Sequence, residues 1–338
     1  MKSQYIKEIF RAFMSEDKQK FLENARALIA DEKKLNHQLF ANELKEIVEH
    51  TNYKLNIVND IDYSSIYKKN TPIPRDNEKG FPLLEIKEFE LDWNDLIISD
   101  EVRIHLQSIE KGFWNKELLN TYGIKPKQKI LFYGVPGTGK TLTAKILSNV
   151  LGYPLIYVRF DAIVSSYLGE TASNLKKIFD FIENGKWVVL LDEFDVVGKQ
   201  RDDQYEHGEI KRVVNNFMQM LDNFNGESLI IAATNHEQLL DLGLWRRFDD
   251  IIHFELPNEI ERKELFHLYF KSVKKNKLDY TKLAKISNGL SAADISQIVS
   301  ESIRQMIIEE KNEITFDIIN SVIVMFMKRK KLEPKKYV

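Results

Sequence analysis

Residues 134–141 read Gly-Val-Pro-Gly-Thr-Gly-Lys-Thr, and residues 188–193 read Val-Val-Leu-Leu-Asp-Glu. The first stretch fits the phosphate-binding loop pattern, in which glycines let backbone N–H groups approach phosphates at a helix N-terminus. A strand pattern at 130–133 and a helical pattern at 141–150 supply the context that this motif requires, which an ordinary glycine-rich turn does not explain. The candidate nucleotide-binding residues of the loop are Gly134, Pro136, Gly137, Thr138, Gly139, Lys140 and Thr141.

The two carboxylates that end the second stretch predict hydrolysis in addition to binding. Lys140 is expected to reach the β and γ phosphate oxygens, while the Thr141 hydroxyl and the Asp192 carboxylate hold Mg²⁺. Glu193 is then left to activate water as a general base. The sequence therefore predicts a site that hydrolyses a nucleoside triphosphate, with Mg²⁺ as the only metal inferred.

Composition narrows the class of protein. The 338 residues suffice for two or three domains, and 43% of them are hydrophobic, which provides ample core. The 49 basic and 51 acidic side chains leave a net charge of −2, so no overall positive field favours a nucleic-acid partner. The absence of cysteine excludes disulfides, thiolate zinc sites and cysteine nucleophiles.

The N-terminus does not read as a targeting segment. Charged residues occur within the first eight positions, and no apolar run approaches 18 residues in length. We therefore expect a cytoplasmic protein without membrane insertion.

Hydrophobic periodicity divides the chain into five parts. Apolar stripes in residues 1–50 predict an N-terminal domain of three amphipathic helices, and residues 51–83 lose this periodicity and read as a linker. Strand and helix patterns alternate through residues 84–257, which predicts an α/β fold with a parallel sheet. Residues 258–330 predict a helical lid, followed by a basic tail at 331–338. The strand candidates are 130–133, 155–159, 187–191, 229–233 and 251–254.

Beyond these two motifs, residues 91–328 resemble the AAA family of hexameric AAA+ ATPases, which includes protein unfoldases. Asn235, at the end of an apolar strand, is similar to the residue that senses the γ phosphate and orients the attacking water. Arg246 and Arg247 resemble arginine fingers, which reach into the nucleotide site of a neighbouring subunit. Their segment lacks the Pro-Gly insertion of the commonest family form, so which arginine is the dominant finger stays open.

Two further segments resemble the pore loops of that family. Tyr167 and Leu168 stand at the place of the first pore loop, where an aromatic residue, here Tyr167, grips an extended polypeptide. The alternative is an aromatic side chain packed in the core. Residues 202–209 stand at the place of the second pore loop, or form an ordinary solvated loop.

The adenine site is also implied by the resemblance. Ile97 and Ile98 resemble the segment that wraps adenine through backbone contacts. Ala292 and Ala293 resemble a small-residue helix start against the nucleotide, and Ser291 with Asp294 has the pattern of a capping box.

The resemblance implies ATP and Mg²⁺ as cofactors and a homohexamer that threads a protein substrate through its central pore. The N-terminal helices would recruit substrates or pack against the ring. Their pattern also resembles bacterial AAA proteins encoded beside a subtilisin-like protease in phage-defence pairs, which implies a protease partner. The alternatives are a nucleotide-dependent switch or scaffold that regulates a partner enzyme without threading, and a nucleic-acid motor. A GTPase is disfavoured because no Asn-Lys-x-Asp segment is present.

Overall fold

The fold is described from a computed structural model, which divides the chain into two units, residues 1–71 and 72–338. In the first unit, residues 23–29 are helical, and Ala25 and Ile29 are buried. The rest of the three predicted N-terminal helices lies outside the described residues. The structure describes residues 20, 23–29, 72–76, 80–159, 168–194, 207–236, 242–275 and 277–332.

A six-stranded sheet organises the second unit in the order β1-β3-β4-β5-β2-β6. The five predicted strands are confirmed and run parallel, which confirms the predicted parallel α/β sheet, and a sixth strand, β1, pairs antiparallel with β3 at its edge. β1 was missed because a four-residue Leu-Glu-Ile-Lys stretch is too short for a clear period. The strands are β1 Leu84–Lys87, β2 Lys129–Gly134, β3 Leu155–Val158, β4 Val188–Leu191, β5 Leu229–Thr234 and β6 Asp250–Phe254.

Helices cover the sheet and connect its strands. β5 is buried at all six positions and β4 at all four, as expected for parallel strands covered on both faces. A 3₁₀ turn at Trp93–Asp95 precedes the first helix. The helices of this part are α1 Asp100–Trp114, α2 Lys116–Thr121, α3 Lys140–Leu151, α4 Leu168–Glu183, α5 His207–Asn223 and α6 Leu242–Trp245.

The predicted helical lid follows β6 and has a hydrophobic cluster of its own. Phe266, Phe270 and Ile295 are completely buried in this cluster. Ser291 caps the third lid helix in a reciprocal capping box with Asp294, which confirms that prediction. The lid helices are α7 Glu259–Tyr269, α8 Tyr280–Ile286, α9 Ala292–Ile308 and α10 Phe316–Leu332.

Residues 72–76 and 80–83 belong to the second unit, although their sequence reads as linker. Arg75 forms a bridge with Pro82, and the Asp76 carboxylate accepts a hydrogen bond of 2.8 Å from the Asn174 side chain of α4. Asp76 is 4% exposed and Leu83 is fully buried. This segment therefore packs on the sheet domain before β1 begins. In the part of the chain that the structure describes, no helix is both long and apolar enough to cross a bilayer.

Candidate active site

The loop between β2 and α3 has the backbone of an anion cradle. Gly134, Gly137 and Gly139 have φ angles of 134°, 77° and 103°, which favour glycine. A Cβ atom on Gly134 would lie 2.2 Å from the Phe254 carbonyl oxygen, and one on Gly137 would lie 2.7 Å from Ser291 Oγ. Since Gly139 is also the N-cap of α3, the N-cap residue has no side chain with which to bond the first amides of that helix. These donors are available to an anion.

The Lys140 ammonium is held over this loop. Its Nζ donates hydrogen bonds to the carbonyl oxygens of Gly134 at 2.7 Å and Val135 at 2.9 Å, and the residue is only 6% exposed. The Thr138 hydroxyl donates to the same Val135 oxygen at 2.9 Å. A buried ammonium needs such acceptors, and phosphate oxygens can take their place when a nucleotide binds.

Thr141 and Asp192 supply the atoms that Mg²⁺ requires. Thr141 Oγ1 donates to Asp192 Oδ2 at 2.8 Å, so a hydroxyl and a carboxylate from two separate elements meet at one point. Both are hard oxygen donors, and Mg²⁺ is commonly held by one or two such protein ligands, with water and phosphate oxygens at its other positions. The residues present therefore fit Mg²⁺ bound together with a nucleotide.

Glu193 follows Asp192 in a backbone conformation that L-residues rarely adopt. Its φ of 53° lies in the left-handed region, where a non-glycine residue stores about 1–3 kcal/mol of strain. Its backbone N–H donates to Asp192 Oδ1 at 3.0 Å. The next residue, Phe194, is completely buried and donates its N–H to the Ala233 carbonyl at 2.9 Å. The neighbours thus fix the turn and leave the Glu193 carboxylate exposed.

The strand order brings the predicted catalytic residues to one edge of the sheet. β5 lies between β4 and β2, with Leu191 opposite Ala232 and Tyr133 opposite Thr234. Asn235 directly follows β5 and is half-buried. Because the carboxyl ends of parallel strands share an edge, Asn235 lies between the phosphate loop and the acidic turn.

A cavity of about 550 Å³ adjoins the phosphate loop. The predicted base-contacting residues Ile97, Ile98 and Ala292 line it together with Thr138. Ala293 does not line this cavity; its N–H donates to the Gly137 carbonyl at 3.0 Å. Sequence reasoning missed several lining side chains because no spacing pattern connects them to the motifs: His105, Tyr133, His253, Asn258 and Glu261.

Aromatic contacts form one wall of this cavity. Tyr133 stacks on His253 with ring centroids 4.5 Å apart and meets the edge of Trp245 at 5.2 Å. Edge-to-face and stacked pairs of this kind contribute about 0.5–1.5 kcal/mol beyond the burial of their area. Tyr133 and His253 line the cavity, and Trp245, the residue before Arg246, packs against Tyr133.

The two predicted finger arginines differ in their surroundings. Arg247 Nε donates to Asp222 Oδ2 at 2.9 Å, and its Nη1 donates to the Gly243 carbonyl at 2.8 Å. Arg246 is exposed, and no ion pair to it occurs among the residues that the structure describes. The chain's own contacts therefore hold Arg247 and leave Arg246 accessible.

The backbone after the two arginines is anchored at the start of β2. Asp249 Oδ2 accepts hydrogen bonds of 2.9 Å from the backbone amides of Gln128 and Lys129, at the start of β2. The phosphate loop begins at the other end of this six-residue strand, about 17 Å away at 3.4 Å per residue. The backbone two residues after Arg247 is thus anchored at the end of β2 opposite the phosphate loop, whereas the ring of Trp245, just before the arginines, contacts Tyr133 beside that loop.

Two titratable groups near the site have shifted pKa values. Burial raises the pKa of Tyr157 to about 12, and the negative charges of Asp192 and Glu85 act in the same direction. Burial also acts to raise the pKa of Asp250, but hydrogen bonds from Lys127 and His105 outweigh it, so that this pKa lies below its usual value. Tyr157 therefore stays protonated and Asp250 stays ionised at neutral pH.

The structure describes only some of the residues predicted to form the two pore loops. Tyr167 and residues 202–206 lie outside the described residues, while Leu168 is the first residue of α4 and residues 207–209 belong to the first turn of α5. The pore-loop assignment stays a prediction.

Comparison with known proteins identifies similar chains. The family described as "ATPase family associated with various cellular activities (AAA)" matches residues 130–256. An uncharacterized AAA family ATPase of Sinorhizobium fredii is 34% identical over 86% of this chain and 85% of its own length. A 26S proteasome subunit of Saccharomyces cerevisiae is 32% identical over 70% of this chain and 56% of its own length. A proteasome-activating nucleotidase of Methanopyrus kandleri is 30% identical over 72% of this chain and 58% of its own length. The chain thus spans less than two thirds of these two proteasomal relatives.

Proposed function

This chain belongs to the AAA family of ATPases, and from that membership we propose that it remodels proteins as a ring of identical subunits. It is an ATP hydrolase that uses Mg²⁺. The observation that carries the proposal is that Arg246 is exposed, with no ion pair among the described residues, whereas Arg247 is held by Asp222. Proteasomal ATPases among the relatives support a protein substrate.

The residues of the site have separate tasks in hydrolysis. Lys140 and the α3 amides bind the phosphates, and Thr141 and Asp192 would hold Mg²⁺, which would supply positive charge to stabilise the transferring phosphate. We propose that Glu193 accepts the proton of the attacking water, which Asn235 orients. The exposed Glu193 carboxylate and the place of Asn235 beside it in the strand order support these roles.

An arginine is proposed to complete the site from a neighbouring chain. A planar guanidinium with several donors stabilises the charge that develops on the γ phosphate, which in related enzymes accelerates hydrolysis about 10³- to 10⁵-fold. Arg247 is already engaged by Asp222, whereas Arg246 is exposed. We therefore assign Arg246 as the finger and Arg247 as the residue that fixes its segment.

Substrate threading is proposed from the resemblance of the segment at Tyr167 to a pore loop. In a six-membered ring, Tyr167 and Leu168 of each chain would contact an extended polypeptide in the central pore. Hydrolysis would move α4, which starts at Leu168, and the aromatic ring with it. If the protein is instead a switch, Tyr167→Ala will leave the biological output unchanged. Threading requires that this variant lose substrate processing while basal hydrolysis persists.

Mixed rings test the shared site directly. Arg246→Ala and Glu193→Gln chains are each expected to hydrolyse ATP at least 100-fold more slowly than wild type. When they are mixed, a site with intact Glu193 can receive Arg246 from its Glu193→Gln neighbour, so activity should reappear. Arg304→Ala, which removes an exposed arginine on α9, is the matched control and should leave hydrolysis unchanged.

Assembly is measured on the same proteins. The Glu193→Gln chain with ATP and Mg²⁺ should have six times the mass of the 39.7 kDa chain. Mixed hexamers without restored activity would refute the finger in trans, and a monomer that hydrolyses ATP without either arginine would refute the ring.

A further inference from the structure

An ion pair connects α10, the last helix of the lid, to the first turn of α9, which lies beside the phosphate loop. We propose that Lys330, near the end of α10, is a positioning residue for ATP: through Asp294 it holds the first turn of α9 against the phosphate loop. Lys330 thereby acquires a role in ATP binding. This inference concerns nucleotide affinity and does not depend on a ring or on threading.

The first link joins residues 36 positions apart. Lys330 Nζ lies 2.5 Å from Asp294 Oδ2, and the two side chains are 40% and 20% exposed. Lys330 is therefore restrained by a short, charge-assisted hydrogen bond, which is stronger than a bond between neutral groups. The end of α10 is tied to the start of α9.

The second link joins Asp294 to the helix cap. The same Oδ2 atom accepts a hydrogen bond from the Ser291 backbone N–H at 2.9 Å, and the Asp294 N–H donates to Ser291 Oγ at 3.2 Å. Asp294 is thus shared between the capping box and Lys330. A substitution at Lys330 therefore alters the hydrogen bonding of Asp294 in the first turn of α9.

The third link reaches the phosphate loop itself. The Ala293 N–H donates to the Gly137 carbonyl at 3.0 Å. A Cβ atom on Gly137 would lie 2.8 Å from Ala293 Cβ, which shows how closely the two backbones approach. The first turn of α9 therefore fixes one side of the loop that binds the phosphates, while Ala292 lines the adjoining cavity.

Charge adds to this geometry. Asp294 would place a negative carboxylate near the binding site of a polyanionic nucleotide, and like charges at such distances disfavour binding. The Lys330 ammonium neutralises that carboxylate. Both effects predict that loss of Lys330 weakens ATP binding and leaves the chemical step unchanged, because no reacting group belongs to the chain of contacts.

The neighbouring basic residues provide a matched control. Lys328 is on the same helix and is exposed, and no ion pair to Lys328 occurs in the part of the chain that the structure describes. Lys328→Glu and Lys330→Glu change the net charge equally. Only the second one breaks the contact with Asp294 and adds repulsion.

The experiment measures ATP binding with Mg²⁺ to variants in the Glu193→Gln background, and KM and kcat in the otherwise wild-type chain. Lys330→Ala should raise the Kd and KM for ATP about 2- to 5-fold, the range that an ion pair of this exposure supports. Lys330→Glu should raise the Kd and KM for ATP further, and Lys330→Arg should keep them near the wild-type values. In every variant kcat should remain within about 2-fold of wild type.

A double-mutant cycle tests the connection through Asp294. Asp294→Asn keeps an oxygen that can accept the Ser291 N–H but removes the charge, so Lys330→Ala should have no further effect on Kd in that background. Amide hydrogen exchange in residues 289–296 should accelerate in Lys330→Ala. Equal Kd values for Lys330→Glu and Lys328→Glu, or a loss confined to kcat, would overturn the proposal.

Discussion

The strained turn at Glu193 leads to a prediction that separates catalysis from stability. Glu193 has a φ of 53°, and a residue with a Cβ pays about 1–2 kcal/mol for a left-handed conformation. Glycine avoids this cost, although its greater freedom in the unfolded chain costs about 0.5–1 kcal/mol relative to alanine. We therefore expect Glu193→Gly to exceed Glu193→Ala in the free energy of unfolding by up to about 1 kcal/mol.

The expected loss of hydrolysis is much larger than this difference in stability. Both variants lack the carboxylate, as does Glu193→Gln, so ATP hydrolysis should fall about 10²- to 10⁴-fold in all three while ATP binding persists. Urea unfolding of the nucleotide-free chain gives the stability, and phosphate release gives the rate. Together the two measurements show whether the strained turn coincides with the proposed general base.

Two other positions serve as controls. Glu310 also has a left-handed φ of 54° and lies just after α9, so Glu310→Gly should gain stability relative to Glu310→Ala without loss of hydrolysis. Lys176 is exposed within α4, where glycine should be about 1 kcal/mol less stable than alanine. The reasoning is refuted if Glu193→Ala is as stable as Glu193→Gly, and the assignment of the base is refuted if Glu193→Gln hydrolyses ATP at the wild-type rate.

Two further predictions concern the proposed metal ligands and Asp250, whose hydrogen-bond partner His105 lines the cavity. Thr141→Ala removes the hydroxyl that lies 2.8 Å from Asp192 and should raise the Mg²⁺ concentration for half-maximal hydrolysis about 10-fold or more, whereas Thr141→Ser should keep it near the wild-type value. The measurement is a titration of the hydrolysis rate with Mg²⁺. Equal Mg²⁺ requirements in the Thr141→Ala and Thr141→Ser variants would contradict the assignment. The Asp250 pKa lies below its usual 3.8, so this carboxylate stabilises the fold above about pH 4, and its contribution is lost as the pH falls through the lower native pKa. Asp250→Asn should therefore be less stable at neutral pH and show a shallower loss of unfolding free energy between about pH 5 and pH 2; an unchanged slope would contradict the shift.

Much of the fold could be predicted because its signals are local. The parallel strands are short apolar runs that end at turns, and their pattern requires only residues adjacent in the chain. The antiparallel strand β1 was missed because its four residues carry little signal and its place at the edge depends on pairing with β3.

The sequence did not predict the side-chain contacts on which the two proposals depend. The resemblance named Arg246 and Arg247 together, and only the contact of Arg247 with Asp222 distinguishes them. Similarly, Lys330 is the last residue of the predicted helical lid, and nothing in its sequence context indicates the contact with Asp294. Long charged side chains choose partners by proximity in the folded chain, which linear spacing does not encode.

The sequence by itself determined the phosphate loop, because eight consecutive residues contain its glycines, its lysine and the start of its helix. It also determined the helical lid, since Ser291 and Asp294 mark the start of α9 within a few positions. Tertiary structure alone decided that β5 separates β4 from β2, which brings Thr141 to within 2.8 Å of Asp192 across 51 residues of sequence. The physical reason is that motifs depend on local backbone conformation, whereas the site depends on strand order and helix packing, which bring together residues from distant parts of the chain.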